Sequence, residues 1–171
     1  HSSEPKKRKD ENGKTISNKA NDEDASYTSK RGRKHHGYKI HIATDTNSII
    51  KEVITTTAKT HDSTQFDTLT KDETKAVFAD SGYMSQERKR TLRSKGIFNG
   101  ITERRVRGQS KLRTKQSKNN TKFSKVRALV ELPFAFIKKL MKYTETKYLG
   151  LHKNSQHVFL IAAAYNLRRM P

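Results

Sequence analysis

The sequence predicts an α/β domain in which a mixed β-sheet is flanked by helices. Segments typical of strands lie at residues 38–43, 49–57, 75–79 and 97–102, and stretches with helical periodicity lie between and after them. This order of strand, strand, helix, strand, helix, strand is typical of a mixed sheet with helices on its faces. A length of 171 residues fits one domain.

The composition indicates a polyanionic partner and excludes several kinds of protein. The net charge is +20 and the pI is near 10.2, with basic residues spread along the chain, which favours nucleic acid over a membrane surface. Without cysteine the chain has neither a disulfide framework nor a thiolate metal site, which suits the reducing cytoplasm. The longest apolar run, residues 158–165, is too short to span a bilayer.

Residues 1–36 are polar and basic, and we predict a mostly disordered N-terminal segment ahead of a core over residues 37–171. The adjacent pair His35 and His36 lies in this segment. Neighbouring side chains point in different directions, so the pair does not predict a metal site.

A hairpin is predicted after Gly37. Tyr38, Ile40 and Ile42 alternate with less apolar residues, which is the period of a half-buried strand. Asp45 begins a polar turn, and the β-branched residues 49–57 supply the second strand.

The next segment predicts helix, strand, helix and strand. Asp62 or Ser63 is expected to cap a short helix. An apolar strand over residues 75–79 is followed directly by Asp80, and Ser85 caps a helix that Gly96 closes.

Residues 103–122 are predicted to form a basic loop that becomes ordered on a phosphate backbone, because they lack apolar periodicity. Arg104, Arg105 and Arg107 are its expected DNA-binding residues. The last apolar segment, residues 158–167, predicts a helix buried against the sheet.

An amphipathic helix follows the basic segment, with apolar residues recurring every three or four positions from Val126 to Met141. At about 100° per residue, Arg127 lies roughly 40° and Lys138 roughly 20° from Glu131, on the face opposite the apolar stripe. An ordinary surface ion pair is the alternative interpretation. Pro133 is expected to kink the helix just after Glu131.

Asp80 and Glu131 together suggest phosphoryl transfer, although each alone fits a turn-forming or surface acid. Ligands gather at the carboxyl ends of strands, where Asp80 lies. Carboxylate oxygens suit Mg²⁺ or Mn²⁺, and Arg127 and Lys138 can bind DNA phosphates. We therefore predict Asp80 and Glu131 as catalytic and metal-binding residues.

An ordered set of motifs resembles the DDE transposases of bacterial insertion sequences, in the insertion-sequence-five group. The set begins near residue 22, reaches the C-terminus and keeps its order and spacing. It comprises Asp24-Ala25, Gly37-Tyr38-Lys39-Ile40-His41, Thr60-His61-Asp62-Ser63, Ala79-Asp80-Ser81-Gly82-Tyr83, Arg127 with Glu131 and Lys138, Tyr148-Leu149-Gly150, and Asn166-Leu167-Arg168-Arg169.

The resemblance implies an RNase H-like core, an acid triad that uses Mg²⁺, nicking at transposon ends and strand transfer into target DNA. It also implies double-stranded DNA as the partner, in the bacterial cytoplasm at the nucleoid, and is compatible with a homodimer on DNA and not with a membrane. Asp80 matches the second acid of the family and Glu131 the third. Ser124 stands where the family has a Tyr.

The first acid of the family has no match in the sequence, because no apolar strand bearing an Asp precedes residue 37. Asp45 fits the hairpin turn and Asp62 fits a cap. We therefore expect a transposase fragment that lacks its first strand and first catalytic Asp, and that is inactive alone.

Two other functions remain open on the sequence. A non-catalytic basic nucleic-acid-binding domain explains the charge without Asp80 or Glu131, and an RNase H-like nuclease would share the acids without recognising transposon ends.

Overall fold

The computed structural model describes residues 7–9, 11–13, 15–17, 22–30, 32–105 and 107–170. They form an α/β structure with both antiparallel and parallel strands, which confirms the predicted class. The strands are β1 (Lys7–Lys9), β2 (Thr15–Ser17), β3 (Ser26–Lys30), β4 (Arg33–Thr44), β5 (Ile50–Thr57), β6 (Ala76–Ala79) and β7 (Phe98–Ile101). The α-helices are α1 (Phe66–Leu69), α2 (Gln86–Ser94), α3 (Thr114–Ala135) and α4 (Leu151–Arg169).

The strands of the described residues belong to three sheets rather than to one mixed sheet. β1 pairs with β2, and β3, β4 and β5 form a sheet in that order. β6 and β7 form a parallel pair. The chain divides into two compact units, one of His1–His41, Val53–Thr60 and Ala135–Pro171, and the other of Ile42–Glu52 and His61–Phe134.

The prediction of a mostly disordered segment over residues 1–36 is wrong for its described part. That part includes β1, β2, β3 and the beginning of β4. β3 pairs with β4 in the register that runs from Ser26 opposite Gly37 to Lys30 opposite Arg33. Backbone hydrogen bonds of this kind need no alternation of apolar residues. The polar sequence therefore carries no signal from which these strands could be predicted.

The predicted hairpin is confirmed. The Asp45 carboxylate accepts hydrogen bonds from the backbone N–H groups of Asn47 and Ile49, both at 2.8 Å, which makes it the turn residue that the sequence indicates. His41 belongs to the less apolar face of the predicted alternation, yet it is buried, and its Nε2 atom lies 2.8 Å from the Thr56 hydroxyl.

The core of the second unit lies where β6, β7 and α2 meet. Its buried residues are Phe66, Val77, Leu92, Ile97 and Ile101. The Ser85 hydroxyl caps α2 by accepting from the Arg88 N–H at 3.1 Å, and Gly96 follows the helix with φ of +68°. Both predicted ends of this helix are therefore confirmed.

The cap of the short 3₁₀ helix Asp62–Gln65 differs from the prediction. His61, rather than Asp62 or Ser63, is the N-cap, and its ring accepts from the Ser63 N–H at 3.2 Å. An imidazole nitrogen here supplies the acceptor that Ser or Asp usually provides.

The predicted basic loop over residues 103–122 is too long, because α3 begins at Thr114. The loop therefore ends at Arg113. The Gln116 side chain accepts from the Arg113 N–H at 3.0 Å, and this contact is half of a capping box.

The C-terminal helix α4 is longer than predicted and is buried on one face only. Asn154, Val158, Ile161, Ala162 and Tyr165 are buried, whereas Phe159, Leu160 and Leu167 are 64%, 65% and 73% exposed. None of the helices among the described residues combines the length and the apolar character that a membrane span needs.

Three of the family-like motifs, those that contain Asp24, Tyr38 and Gly150, meet at the beginning of α4. The buried Asp22 carboxylate accepts from the Tyr38 hydroxyl at 2.7 Å and from the Gly150 N–H at 3.2 Å. Asp24 accepts from the Leu151 N–H at 2.8 Å. Burial, and then the Asp22 carboxylate, raise the pKa of Tyr38. The acids thus supply acceptors for the first turn of α4.

Candidate active site

Asp80 lies directly after β6, at the carboxyl end of the strand. One carboxylate oxygen accepts from the Ser81 N–H at 2.6 Å and caps the 3₁₀ turn Ser81–Tyr83. The side chain is 60% exposed. Asp80 therefore makes the turn contact that a strand-end Asp commonly makes, while its second oxygen faces another element.

That second oxygen lies 3.7 Å from a guanidinium nitrogen of Arg127 on α3. Glu131 follows Arg127 by one helical turn, which is about 6 Å along the axis and roughly 40° around it. The structure thus brings the end of β6 against the turn of α3 that leads to Glu131.

The ion pair of Arg127 differs from the alternative interpretation of the sequence, which was a surface ion pair between Arg127 and Glu131 on α3. Among the described residues, the carboxylate that pairs with Arg127 is Asp80 rather than Glu131. Glu131 is exposed. An ion pair with this much exposure contributes only about 0.2–1 kcal/mol, so a cation can compete with Arg127 for the Asp80 oxygen.

Ser48 holds α3 at the same turn, and sequence reasoning missed it. Pro133 has no N–H, so the Leu129 carbonyl lacks its usual partner four residues later in the helix. The Ser48 hydroxyl donates to that carbonyl at 2.7 Å. Ser48 is fully buried and has φ of +63°. The hairpin turn thereby supplies the hydrogen bond that the Leu129 carbonyl, two residues before Glu131, lacks because of Pro133.

Pro133, at which the sequence predicts a kink, lies inside α3. α3 continues to Ala135, and a π-helical turn follows over Phe136–Leu140. Because a π turn has a wider register than an α turn, the α-helical angle that placed Lys138 beside Glu131 does not apply. Lys138 is exposed in this turn and belongs to the other compact unit.

Tyr83 is a second residue that sequence reasoning passed over, although it follows Asp80 by three positions. It is partly buried and contacts the ring of Phe66. Burial raises the pKa of the Tyr83 hydroxyl, and the negative charges of Asp62 and Asp80 raise it further. The positive charges of Arg88 and Arg127 act in the opposite direction. The hydroxyl is therefore a neutral donor next to the candidate site.

The three predicted DNA-binding arginines take different positions. Arg104 donates from Nε to the Ser81 carbonyl at 2.8 Å, which places it beside the turn that Asp80 caps. Arg105 donates to the Ser110 carbonyl at 3.0 Å and closes the basic loop. Arg107 is exposed.

Exposed carboxylates such as those of Asp80 and Glu131 are the kind of ligand that a magnesium ion uses. Such ions use one or two carboxylates and complete their coordination with water and phosphate oxygens. Asp80 and Glu131 supply two exposed carboxylates. Within the described ranges, no group of three or more His, Cys, Asp or Glu side chains is arranged to hold a metal.

Comparisons with known proteins agree with the resemblance. A family model described as the transposase DDE domain matches residues 8–167. The chain is 32% identical over 157 residues to the transposase for insertion sequence element IS1106 of Neisseria meningitidis serogroup B. The match covers 91% of this chain and 54% of that protein, so the chain spans about half the length of its relative. No solved structure matches the chain significantly.

The family match covers most of the chain and includes Asp80, Arg127 and Glu131. These are the residues that meet, or lie one turn apart, where β6 contacts α3. The chain belongs to the transposase DDE domain family.

Proposed function

We propose that this chain is part of a DNA transposase that cleaves DNA at transposon ends and transfers the strands to a target. Asp80 and Glu131 are the two acids of this chain that would hold a divalent cation, Mg²⁺ or Mn²⁺. The contact between Asp80 and Arg127 is the observation that carries the proposal, because it joins the carboxyl end of β6 to the α3 turn before Glu131.

The chain's own residues have definite tasks in this proposal. The Ser81 N–H fixes the Asp80 carboxylate, and Arg127 balances its charge until a cation binds. Arg104, Arg105, Arg107, Arg127 and Lys138 would then contact DNA phosphates, the arginines through bidentate hydrogen bonds. A bound divalent cation would supply charge stabilisation for phosphodiester displacement.

We further propose that cleavage needs one more carboxylate than Asp80 and Glu131. Two observations support this: the family-like pattern has three acids, and the described residues offer no group of three metal-binding side chains. On this proposal the chain alone binds DNA and a cation but does not cut a transposon-end duplex.

Several finer features belong to the same proposal. They are an RNase H-like arrangement of the core, membership of the insertion-sequence-five group, a homodimer on double-stranded DNA, and action at the nucleoid in the bacterial cytoplasm. The parallel pair of β6 and β7 with an acid after β6 supports the first of these, since functional residues collect at that end of parallel strands.

A non-catalytic DNA-binding module is the second candidate function. The net charge of +20 and the exposed lysines of α3 favour it without any role for the acids. The two candidates differ in whether a divalent cation acts through Glu131.

The deciding experiment measures the affinity of the chain for a DNA duplex with and without Mg²⁺, at fixed ionic strength. With Glu131 unchanged, Mg²⁺ should tighten binding by joining carboxylate to phosphate. In Glu131→Gln the Mg²⁺ effect should disappear, while affinity without Mg²⁺ stays equal or rises because a negative charge is lost. Glu87→Gln, at an exposed acid of α2, is the control. A Mg²⁺ effect that survives Glu131→Gln would contradict the catalytic proposal.

A further inference from the structure

The N-terminal half of α3 carries a line of lysines on one side. Lys115, Lys118, Lys122 and Lys125 are all exposed, and at about 100° per residue they fall within an arc of about 80°. From the first to the last lysine are ten residue steps, or about 15 Å of helix. We call these four residues the lysine stripe.

The same side of α3 changes character halfway along the helix. Continued past Lys125, it carries Val126, Leu129 and Pro133. Pro133 is buried and the other two are partly buried. The same helix face is therefore partly or fully buried over its C-terminal half and exposed to solvent over its N-terminal half.

The opposite side of the N-terminal half is fixed by hydrogen bonds. The Glu103 N–H donates to the Asn120 side chain, and the Asn120 amide donates back to the Glu103 carbonyl, both at 2.9 Å. Gln116 donates to the Glu103 carboxylate.

Aromatic packing fixes the same side. The ring of Phe123 contacts those of Phe78 and Phe98 edge-on, with centroids 5.7 and 5.8 Å apart. Since α3 cannot rotate without losing these contacts, the lysine stripe is held outward.

The charges of the stripe are not balanced within the described residues. Glu131 is the one acid in the sequence of α3, and the first turn contains no acid. None of the four lysines forms an ion pair with another described residue. Like charges three and four residues apart destabilise a helix, and cations near its beginning are disfavoured by the helix dipole. An anionic partner would reverse both effects.

From this arrangement we propose that the lysine stripe is a second DNA-contact surface, which binds the phosphate backbone of a duplex away from the Asp80–Glu131 site. The stripe lies roughly 160–240° around α3 from Glu131, so the two surfaces face different directions. Duplex DNA carries one charge per about 1.7 Å of axis, enough to meet four lysines over this length. The exposed side bears no large apolar side chain between the lysines, which does not suit a membrane surface.

The choice of DNA as the partner of the lysine stripe rests on the proposed function. The test is chosen so that failure of the stripe and failure of the catalytic proposal give different results. The salt dependence of duplex binding is measured for the unchanged chain and for K115Q/K118Q/K122Q/K125Q. Each phosphate contact contributes about 0.9 to the slope of log K against log salt, so the slope should fall by about 3 to 4. Mg²⁺ binding through Glu131 should be unaffected.

A matched control removes four other exposed charges, in K75Q/R90Q/R93Q/K95Q. Arg90 and Arg93 lie on α2, Lys95 is its C-cap and Lys75 precedes β6, all in the same compact unit as the stripe. The control should change the slope by less than about 1. Equal slope changes in both variants would overturn the proposal, because the effect would then reflect net charge alone.

Lysine footprinting on the unchanged chain tests the surface without any variant. Acetylation of the stripe should be slowed several-fold by a DNA duplex, and acetylation of Lys75 and Lys95 should not. Uniform protection, or no duplex binding at all, would contradict the proposal, and tighter protection by an RNA duplex would refute its choice of DNA. If the stripe is protected while Glu131→Gln leaves the Mg²⁺ effect intact, only the catalytic proposal fails.

Discussion

The two halves of α3 differ in what holds them. The C-terminal half carries Arg127 and Glu131, and its Leu129 carbonyl is satisfied by the buried Ser48 hydroxyl. The N-terminal half is held along one side, by Glu103 and an aromatic cluster, and exposes lysines on the other. One helix can therefore hold the backbone beside an exposed acid through a buried hydrogen bond at one end, and present exposed lysines at the other.

Gly100→Ala should disrupt the aromatic packing that holds the N-terminal half of α3, and should have the largest effect on stability. A Cβ at this position would lie 2.3 Å from a ring carbon of Phe78, which itself contacts Phe123. Overpacking of this kind costs on the order of 3 kcal/mol. Urea unfolding measures the loss.

Gly82→Ala is the matched control for Gly100, since its Cβ would meet nothing within 4 Å. It should change the free energy of unfolding by less than about 0.5 kcal/mol. If the two variants were equally stable, the aromatic cluster would not be the support that we describe.

Ser48→Ala should weaken the C-terminal half next. It leaves the Leu129 carbonyl without a donor, because Pro133 cannot supply one, and an unsatisfied carbonyl in this partly buried position costs on the order of 1–2 kcal/mol. Thermal unfolding should show the loss.

Ser124→Ala makes the same substitution at an exposed position of α3 and should be neutral or slightly stabilising, because Ala has the higher helix propensity. A similar loss in both variants would argue against a special role for Ser48.

Asp80→Asn should have a smaller effect, visible at alkaline pH through Tyr83. Burial keeps the pKa of Tyr83 raised, and removal of the Asp80 charge should lower it part of the way back. A raised folded-state pKa stabilises the protein below about pH 10, the ordinary tyrosine pKa, and this contribution is lost as the pH rises through the folded-state pKa. In Asp80→Asn the stability lost through Tyr83 ionisation should be smaller, and the loss should be complete at a lower pH.

Tyrosinate absorbance, with Tyr83→Phe subtracted to isolate this residue, measures the titration. An unchanged Tyr83 pKa in Asp80→Asn would mean that the Asp80 carboxylate does not act on the hydroxyl.

The sequence predicted the structural positions whose signals are local. Asp80 follows a short apolar strand, and Ser85 and Gly96 have the chemistry of helix ends, so their positions at the ends of these elements could be predicted from a few neighbouring residues. Arg127 and Glu131 were placed by periodicity in the half of α3 that has an apolar stripe.

The parts that sequence reasoning missed depend on distant partners. The N-terminal half of α3 was predicted as part of a loop because it lacks apolar periodicity. It is held instead by contacts with Glu103 and with the rings of Phe78 and Phe98. Ser48 acts on a carbonyl 81 positions away. The π turn after Pro133 changes the register on which the angle between Glu131 and Lys138 was based, so the place of Lys138 beside Glu131 stays a prediction.

The most direct test of the central claim is a double-mutant cycle on Mn²⁺ binding, measured by the loss of the free-ion EPR signal. If Asp80 and Glu131 share one cation, Asp80→Asn and Glu131→Gln should each weaken binding about tenfold or more, and the double variant should be little worse than either, because groups that act on one ligand are not additive. Asp72→Asn, at an exposed acid in the same compact unit, should bind as the unchanged chain does. Independent, additive effects, or a loss from one substitution alone, would contradict a shared cation.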